Sequence, residues 1–140
     1  MASDPKLDLL HSVPLFSRLG KDEIKRLGQL AEEVDVAAGK TLIRQGDSGA
    51  EMFVIVDGRV SVTRGGESLG ERGPGDVVGE IALLADSPRV ATVTALTPMR
   101  LIVLGRREFL SLMDEMPSVR AAIFEVLASR LASLDIQAAN

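Results

Sequence analysis

Residues 79–95 read GEIALLADSPRVATVTA, and this stretch carries the strongest structural signal in the chain. Gly79 suits the end of a strand, and the short apolar segment that follows it suits a helical turn. Asp86-Ser87-Pro88 then predicts a reversal of the chain, because these residue types favour turns. Arg89 opens a run rich in β-branched residues, which is typical of another strand. The stretch therefore predicts a strand, a short helical turn and a second strand.

Short strands are predicted on both sides of this stretch as well. From Val34 onward the hydrophobic pattern has a period of about two, and glycines cut the chain into pieces rich in valine and isoleucine. This pattern indicates a mainly β fold with flanking helices, specifically a double-stranded antiparallel β-roll that resembles a jelly-roll barrel. The predicted strands lie near residues 34–36, 42–43, 52–56, 60–63, 90–95 and 101–104.

Helices are predicted before and after the β region. Apolar residues recur at helical spacing over residues 21–33, with Asp22 and Glu23 in the first turn, where the helix dipole favours acids. The last third predicts one helix at 106–115 and a longer one at 117–135, which begins at a proline suited to a first turn. The longer helix carries an apolar stripe, so we expect it to pack against another surface.

Composition limits the possible classes of protein. The 140 residues are 46% hydrophobic and 26% charged, which is typical of one soluble globular domain. There is no cysteine, no secretory leader, and no apolar run near the ~20 residues that a membrane helix needs. Twenty acidic against 16 basic residues disfavour nucleic acid as a partner. We therefore expect a cytoplasmic protein that binds neither membrane nor nucleic acid.

The sequence offers little for catalysis or metal binding. Gly39-Lys40-Thr41 ends like a phosphate-binding loop, but Val34 occupies the place of the first glycine in that motif. Residues 73–79 miss the dinucleotide fingerprint by one position. The single histidine, His11, lies in a polar N-terminal segment, and no metal cluster is predicted. Carboxylates could still form an acid–base pair, yet we expect no catalytic residues and no enzyme.

The stretch 79–95 does suggest an anion site. A glycine-led helical turn presents backbone N–H groups at its start, and these favour a phosphate. Arg89 would add a planar, permanently charged donor, while the Glu80 carboxylate would accept a hydrogen bond from a ligand hydroxyl. A sugar phosphate would satisfy both residues. Each also has an ordinary surface explanation, since acids are common in first turns and arginines are common at strand ends.

The order of motifs is similar to that of the cyclic-nucleotide-binding domain family. In that family a Gly-Glu pair, a short apolar helix and a Pro-Arg pair form the phosphate-binding cassette, which residues 79–95 resemble. The resemblance covers about residues 13–116. It also includes Pro14-Leu15-Phe16, Ala38-Gly39-Lys40, Gln45-Gly46-Asp47-Ser48-Gly49, Met52-Phe53-Val54-Ile55, Asp57-Gly58-Arg59-Val60 and Gly73-Pro74-Gly75-Asp76.

This resemblance implies a receptor for cyclic AMP or cyclic GMP that carries out no chemistry and uses no cofactor. Arg89 would grip the cyclic phosphate with help from the backbone amides of Ala82 and Val90. Glu80 would accept the ribose 2′-hydroxyl, and Gly79 would admit the sugar. Members that prefer cyclic GMP often carry threonine at the position of Val90, so the resemblance favours cyclic AMP.

The resemblance leaves other parts of the site less complete. Val62 and Ile81 would line the base pocket. Some members steady the arginine with an acid from the preceding hairpin, where this chain has Ala50 followed by Glu51. Members often cap the base from the C-terminal helix, and the candidates here are Phe124, Leu127 and Arg130.

We expect three parts: an N-terminal segment at 1–12, the β-roll with its N-terminal helix at 13–116, and a C-terminal lid or interaction helix at 117–140. The resemblance implies that nucleotide occupancy is relayed through this last helix to an effector protein, with homodimerisation as a possibility. No DNA-reading, kinase or channel segment is recognised, and the sequence favours a complete small protein. The alternative is an interaction or dimerisation module that keeps the fold without the nucleotide.

Overall fold

The computed structural model describes residues 4–139, and the side chains of residue 130 and residues 133–139 lie outside that description. The helices are α1 (Pro5–Ser12), α2 (Lys21–Leu30), α3 (Arg106–Glu115) and α4 (Pro117–Ala139), with short 3-10 helices at Pro14–Phe16 and Glu80–Leu83. We name the second of these the cassette helix. The strands are β1 (Glu32–Val36), β2 (Thr41–Ile43), β3 (Glu51–Asp57), β4 (Val60–Arg64), β5 (Glu67–Arg72), β6 (Val77–Val78), β7 (Thr92–Ala95) and β8 (Met99–Gly105).

The strands form two antiparallel sheets. One has the order β1-β8-β3-β6, and the other has the order β2-β7-β4-β5. The helices precede and follow this β region in the sequence, and they pack together in one core cluster. The predicted mainly β fold with flanking helices is therefore confirmed.

Strand β3 is buried on both faces, which explains its uninterrupted apolar sequence. Met52 and Val54 belong to a core cluster shared with the helices. Phe53 and Ile55 belong to a second cluster between the sheets. Full burial of each such side chain stabilises the fold by about 1.5 to 3 kcal/mol. The central strand thus joins the β-roll to its helical layer.

The predicted helix at 21–33 ends earlier in the structure. Helix α2 stops at Leu30, and Glu32 and Glu33 instead begin β1, where they pair with Val103 and Ile102 of β8. Backbone pairing with a central strand outweighs the good helix propensity of two glutamates. The predicted helix at 106–115 coincides with α3, and the one at 117–135 forms part of α4.

The helix α1 was not predicted from the polar N-terminal segment. Asp4 caps it by accepting a hydrogen bond from the Lys6 N–H at 2.9 Å, and Pro5 occupies its first turn. The Lys6 Nζ donates to the carbonyls of Gly28 and Ala31, each at 2.8 Å, at the end of α2. These bonds satisfy carbonyls that a helix end leaves open, and they fix α1 against α2.

Across the described residues, no helix is both long enough and apolar enough to cross a membrane.

Candidate functional site

The site begins at Gly79, the residue that directly follows β6. This glycine has φ of +78°, a left-handed conformation that turns the chain from β6 into the cassette helix. Ala82 and Leu83 are buried, and Leu83 belongs to the core shared with the helices. The buried face of the cassette helix is therefore anchored in the core. Ile81, on its outer face, is 64% exposed.

The backbone of Arg89 is tied to the loop that precedes β3. Its N–H donates to the Asp47 carbonyl at 2.9 Å, and its carbonyl accepts from the Gly46 N–H at 2.8 Å. A bridge between Ser48 and Pro88 extends this pairing by one residue pair. These contacts hold the backbone of Arg89 in place, so the point from which its side chain projects is well defined.

The Arg89 guanidinium bridges β3 and the start of the cassette helix. Its Nη2 donates to the Glu51 carbonyl at 2.7 Å, and its Nη1 lies 3.5 Å from the Gly79 carbonyl. Partial burial lowers the pKa of Arg89 from its ordinary value, and the charge of the nearby Glu51 carboxylate acts in the opposite direction. The group stays cationic at neutral pH because an arginine pKa starts so high.

The support for Arg89 therefore differs from that in family members that steady this arginine with an acid. Ala50 stands at the position of that acid, and the neighbouring Glu51 supplies its backbone carbonyl together with its negative charge. The carbonyl of Ala50 instead accepts from the Arg106 N–H at 2.6 Å.

Seven of the site residues predicted from the sequence, those on β4 and in the stretch 79–90, line one cavity of about 430 Å³. It lies between the cassette helix and the sheet that contains β4, β5 and β7. The predicted residues that line it are Val62, Gly79, Glu80, Ile81, Ala82, Arg89 and Val90. Pockets of this size hold small organic ligands, and this one combines an apolar wall with a few polar groups.

Sequence reasoning missed part of the lining. Arg72 has no place in the predicted strand set, because β5 is polar and contains a glycine and so lacks a strand signal. Ile43 and Val93 were assigned to strands, but only the pairing of β2 with β7 brings both to the cavity. The further lining residues are Val77, Val78, Leu84, Ser87, Pro88 and Ala91.

Two backbone groups of the site are already engaged. The Ala82 N–H donates to the Gly79 carbonyl at 3.1 Å within the cassette helix. The Val90 carbonyl accepts from the Arg64 Nε at 3.1 Å, while the Val90 side chain is 63% exposed at the rim of the cavity. A phosphate contact from Ala82 would therefore have to share or redirect its N–H.

Two of the three base-capping candidates on α4 do not reach the cavity. Phe124 is 63% exposed, and Leu127 packs against the core shared with the helices. Neither of these two residues lines the cavity. The side chain of Arg130, the third candidate, lies outside the described residues.

Over the described part of the chain, no group of three or more histidine, aspartate or glutamate side chains is arranged to hold a metal ion. Among the residues that the structure describes, Glu80 is the one acidic residue in the cavity lining. The Arg89 guanidinium beside an apolar wall suits recognition of a small ligand with an anionic part and an apolar part.

Comparisons with known proteins agree with this geometry. The family model for the cyclic nucleotide-binding domain matches residues 33–116. The chain is 38% identical over 109 residues to the Pycsar effector protein XpPycTIR of Xanthomonas perforans, a match that covers 77% of this chain and 36% of that protein. The chain thus spans about a third of the length of this relative.

Solved structures agree as well. The N-terminal domain of a transcriptional regulator from Streptomyces coelicolor A3(2) superposes with a TM-score of 0.85 at 32% identity, covering 93% of this chain and 94% of that one. The regulatory domain of Toxoplasma gondii PKA, crystallised with cAMP, superposes with a TM-score of 0.72 at 30% identity, covering 79% and 46%. With the family model matched over residues 33–116 and the fold shared, this chain belongs to the cyclic nucleotide-binding domain family.

Proposed function

We propose that this chain is a receptor for cyclic AMP that binds the nucleotide in the cavity beside the cassette helix and carries out no chemistry. The observation that carries this proposal is the meeting of Arg89 and Glu80 in one cavity with an apolar wall. The similarity to the T. gondii PKA domain, which was crystallised with cAMP, supports the same ligand class.

Arg89 is the group that would bind the cyclic phosphate. Its backbone is fixed by Asp47 and Gly46, and its guanidinium is partly withdrawn from water. A preset, partly desolvated cation binds an anion more strongly than a freely mobile one, because less ordering is needed and screening is weaker. The amides of Ala82 and Val90 would complete the phosphate site.

The ribose and the base would occupy the rest of the cavity. Glu80, at the start of the cassette helix, would accept the 2′-hydroxyl, and Gly79 would admit the sugar. Val62 and Ile81 would contact the base. Val90 offers no hydroxyl to the amino group of guanine, which favours cyclic AMP over cyclic GMP.

Isothermal titration calorimetry with both nucleotides tests this proposal. We expect saturable binding of cyclic AMP, weaker binding of cyclic GMP, and a loss of about 2 to 5 kcal/mol in Arg89→Ala, as for removing one member of a desolvated charge pair. Arg107→Ala is the matched control, since Arg107 is exposed and lies outside the cavity lining. Unchanged cyclic AMP affinity in Arg89→Ala would refute the site assignment.

Glu80→Gln separates ribose recognition from a structural role. We expect this variant to bind cyclic AMP more weakly while its melting temperature stays that of the wild type. An equal loss of thermal stability and affinity would instead make Glu80 a structural residue. If cyclic AMP stays intact after prolonged incubation with the wild type, the receptor function is supported. Turnover of cyclic AMP would instead favour an enzymatic function.

The output of the receptor would pass through α4 to an effector protein. The cassette helix contacts α3, and α4 packs on α3, so a change in the cassette helix has a short route to α4 through α3. Ligand can shift α4 only by as much as its affinity differs between the two arrangements.

The second candidate function is an interaction module on the same fold. Phe124 and Leu131 are 63% and 62% exposed on α4, and a large exposed apolar side chain is a common feature of a contact surface. A dimer in light scattering, together with no thermal shift from either nucleotide, would favour this function.

A further inference from the structure

Strand β5 places an arginine on the inner face of the roll. Along this strand Gly70 and Arg72 are half-buried. Glu71, which lies between them, and Leu69, which precedes Gly70, are exposed. Alternate residues of a strand point to opposite faces, so Arg72 shares the inner face with Gly70. Withdrawing a cation from water costs free energy unless hydrogen bonds or a charged partner offset that cost.

The guanidinium of Arg72 lies beside the wall that contains Val62. In the register of β4 and β5, Val62 pairs with Gly70 and Val60 pairs with Arg72. A Cβ built on Gly70 would lie 3.5 Å from the Arg72 Nη1, so the side chain runs back over the glycine. The charged head is therefore level with Val62, and both residues line the cavity.

Arg72 has donor capacity to spare. Its Nη1 donates to the carbonyl of the adjacent Glu71 at 2.9 Å. A guanidinium carries several N–H groups and an open planar face, and one bond to a neighbouring carbonyl leaves most of these available. Planar guanidinium groups stack well on aromatic rings and on nucleobases.

We propose that Arg72 contacts the base of the bound nucleotide by packing its guanidinium plane on the purine ring. This inference rests on the proposed function and adds a residue to its site. Arg89 is engaged by the carbonyls of Glu51 and Gly79, and the α4 candidates Phe124 and Leu127 do not line the cavity. Arg72 thus supplies the polar planar contact for the base from the sheet.

Calorimetry with two probes tests this inference. The probes are cyclic AMP and ribose 3′,5′-cyclic phosphate, which keeps the phosphate and sugar but has no base. We expect Arg72→Met to weaken cyclic AMP about five- to tenfold, the effect of one cation–π contact, and to leave binding of the baseless probe unchanged. Arg107→Met is the matched control, and we expect it to bind both probes like the wild type.

Arg72→Lys tests whether the plane of the side chain matters. The lysine keeps the charge but lacks the planar group, so we expect it to bind cyclic AMP more weakly than the wild type. It also keeps the inference testable if the methionine variant does not fold.

Two results would overturn the inference. One is wild-type affinity for cyclic AMP in Arg72→Met or in Arg72→Lys. The other is an equal loss for both probes, which would make Arg72 a second phosphate ligand. Absence of cyclic AMP binding to the wild type, or its persistence in Arg89→Ala, would count against the proposed function instead.

Discussion

At Gly79 one missing side chain affects both the backbone and the ligand site. A Cβ at this position would lie 2.7 Å from the Arg89 Nη1 and 2.9 Å from the Glu51 carbonyl oxygen, in a residue whose φ is +78°. The guanidinium therefore depends on glycine for its position, as does the turn into the cassette helix.

Gly79→Ala should lose both stability and cyclic AMP affinity. The left-handed backbone alone costs a residue with a side chain about 1 to 2 kcal/mol, and the clash displaces Arg89 in addition. Urea unfolding and calorimetry measure the two effects. The control is Gly39→Ala, because Gly39 has φ of +89° but nothing within 4 Å of the added Cβ. If both variants lost the same affinity, strain alone would account for the loss.

Val90→Thr should shift nucleotide preference with little change in stability. The side chain is 63% exposed, so an added hydroxyl is readily solvated. In the proposed pose this hydroxyl meets the amino group of guanine, so the ratio of cyclic GMP to cyclic AMP affinity should rise about five- to tenfold, as for one good hydrogen bond. Val90→Ala provides the control for loss of shape alone. If the ratio of cyclic GMP to cyclic AMP affinity did not change, the base would not lie beside residue 90.

At the scale of elements, the cassette helix is held to α3 by Arg106. Its Nη1 donates to the carbonyls of Ala82 and Ala85 at 3.2 and 3.3 Å, and its Nη2 lies 3.8 Å from the Asp86 carboxylate. The backbone N–H of the same residue donates to the Ala50 carbonyl at 2.6 Å. One arginine therefore connects the end of β8, the start of β3 and the end of the cassette helix.

Arg106→Ala should destabilise the protein by about 1 to 3 kcal/mol, because it removes charge-assisted bonds to carbonyls at a helix end. Cyclic AMP binding should weaken as the cassette helix loosens. Asp86→Asn is the control: its carboxylate is 79% exposed, and loss of such a pair should cost well under 1 kcal/mol. Urea unfolding measures the loss in free energy of unfolding for each variant. Equal losses would show that the ion pair, and not the bonds to the carbonyls, holds the cassette helix.

At the scale of the whole molecule, ligand binding should raise the stability of the fold. The cavity draws residues from both sheets and from the cassette helix, which exist together only in the folded chain. Cyclic AMP at a concentration about 100-fold above its dissociation constant should therefore add about 2.7 kcal/mol, or roughly 10 °C in melting temperature. Differential scanning fluorimetry measures the shift. Arg89→Ala should lose most of it, whereas a full shift in that variant would contradict the site.

Sequence patterns alone were enough to predict the strands with a clear apolar pattern, the two C-terminal helices and the order of groups from Gly79 to Arg89. These features are local. Hydrophobic period, turn residues and the spacing from glycine to arginine are all readable over a few neighbouring positions. The family resemblance then placed Val62 with the cassette, and the structure brings them to one cavity.

The packing of the whole chain was needed to show that Arg72 belongs to the cavity, that the Glu51 carbonyl holds Arg89, and that α2 ends at Leu30. Each of these depends on strand register or on a backbone carbonyl. Register is set by pairing between distant segments, and every residue carries a carbonyl whatever its side chain. No local sequence pattern therefore predicts strand register or the partner of a backbone carbonyl. Both become visible only when the two sheets and the helices are packed together.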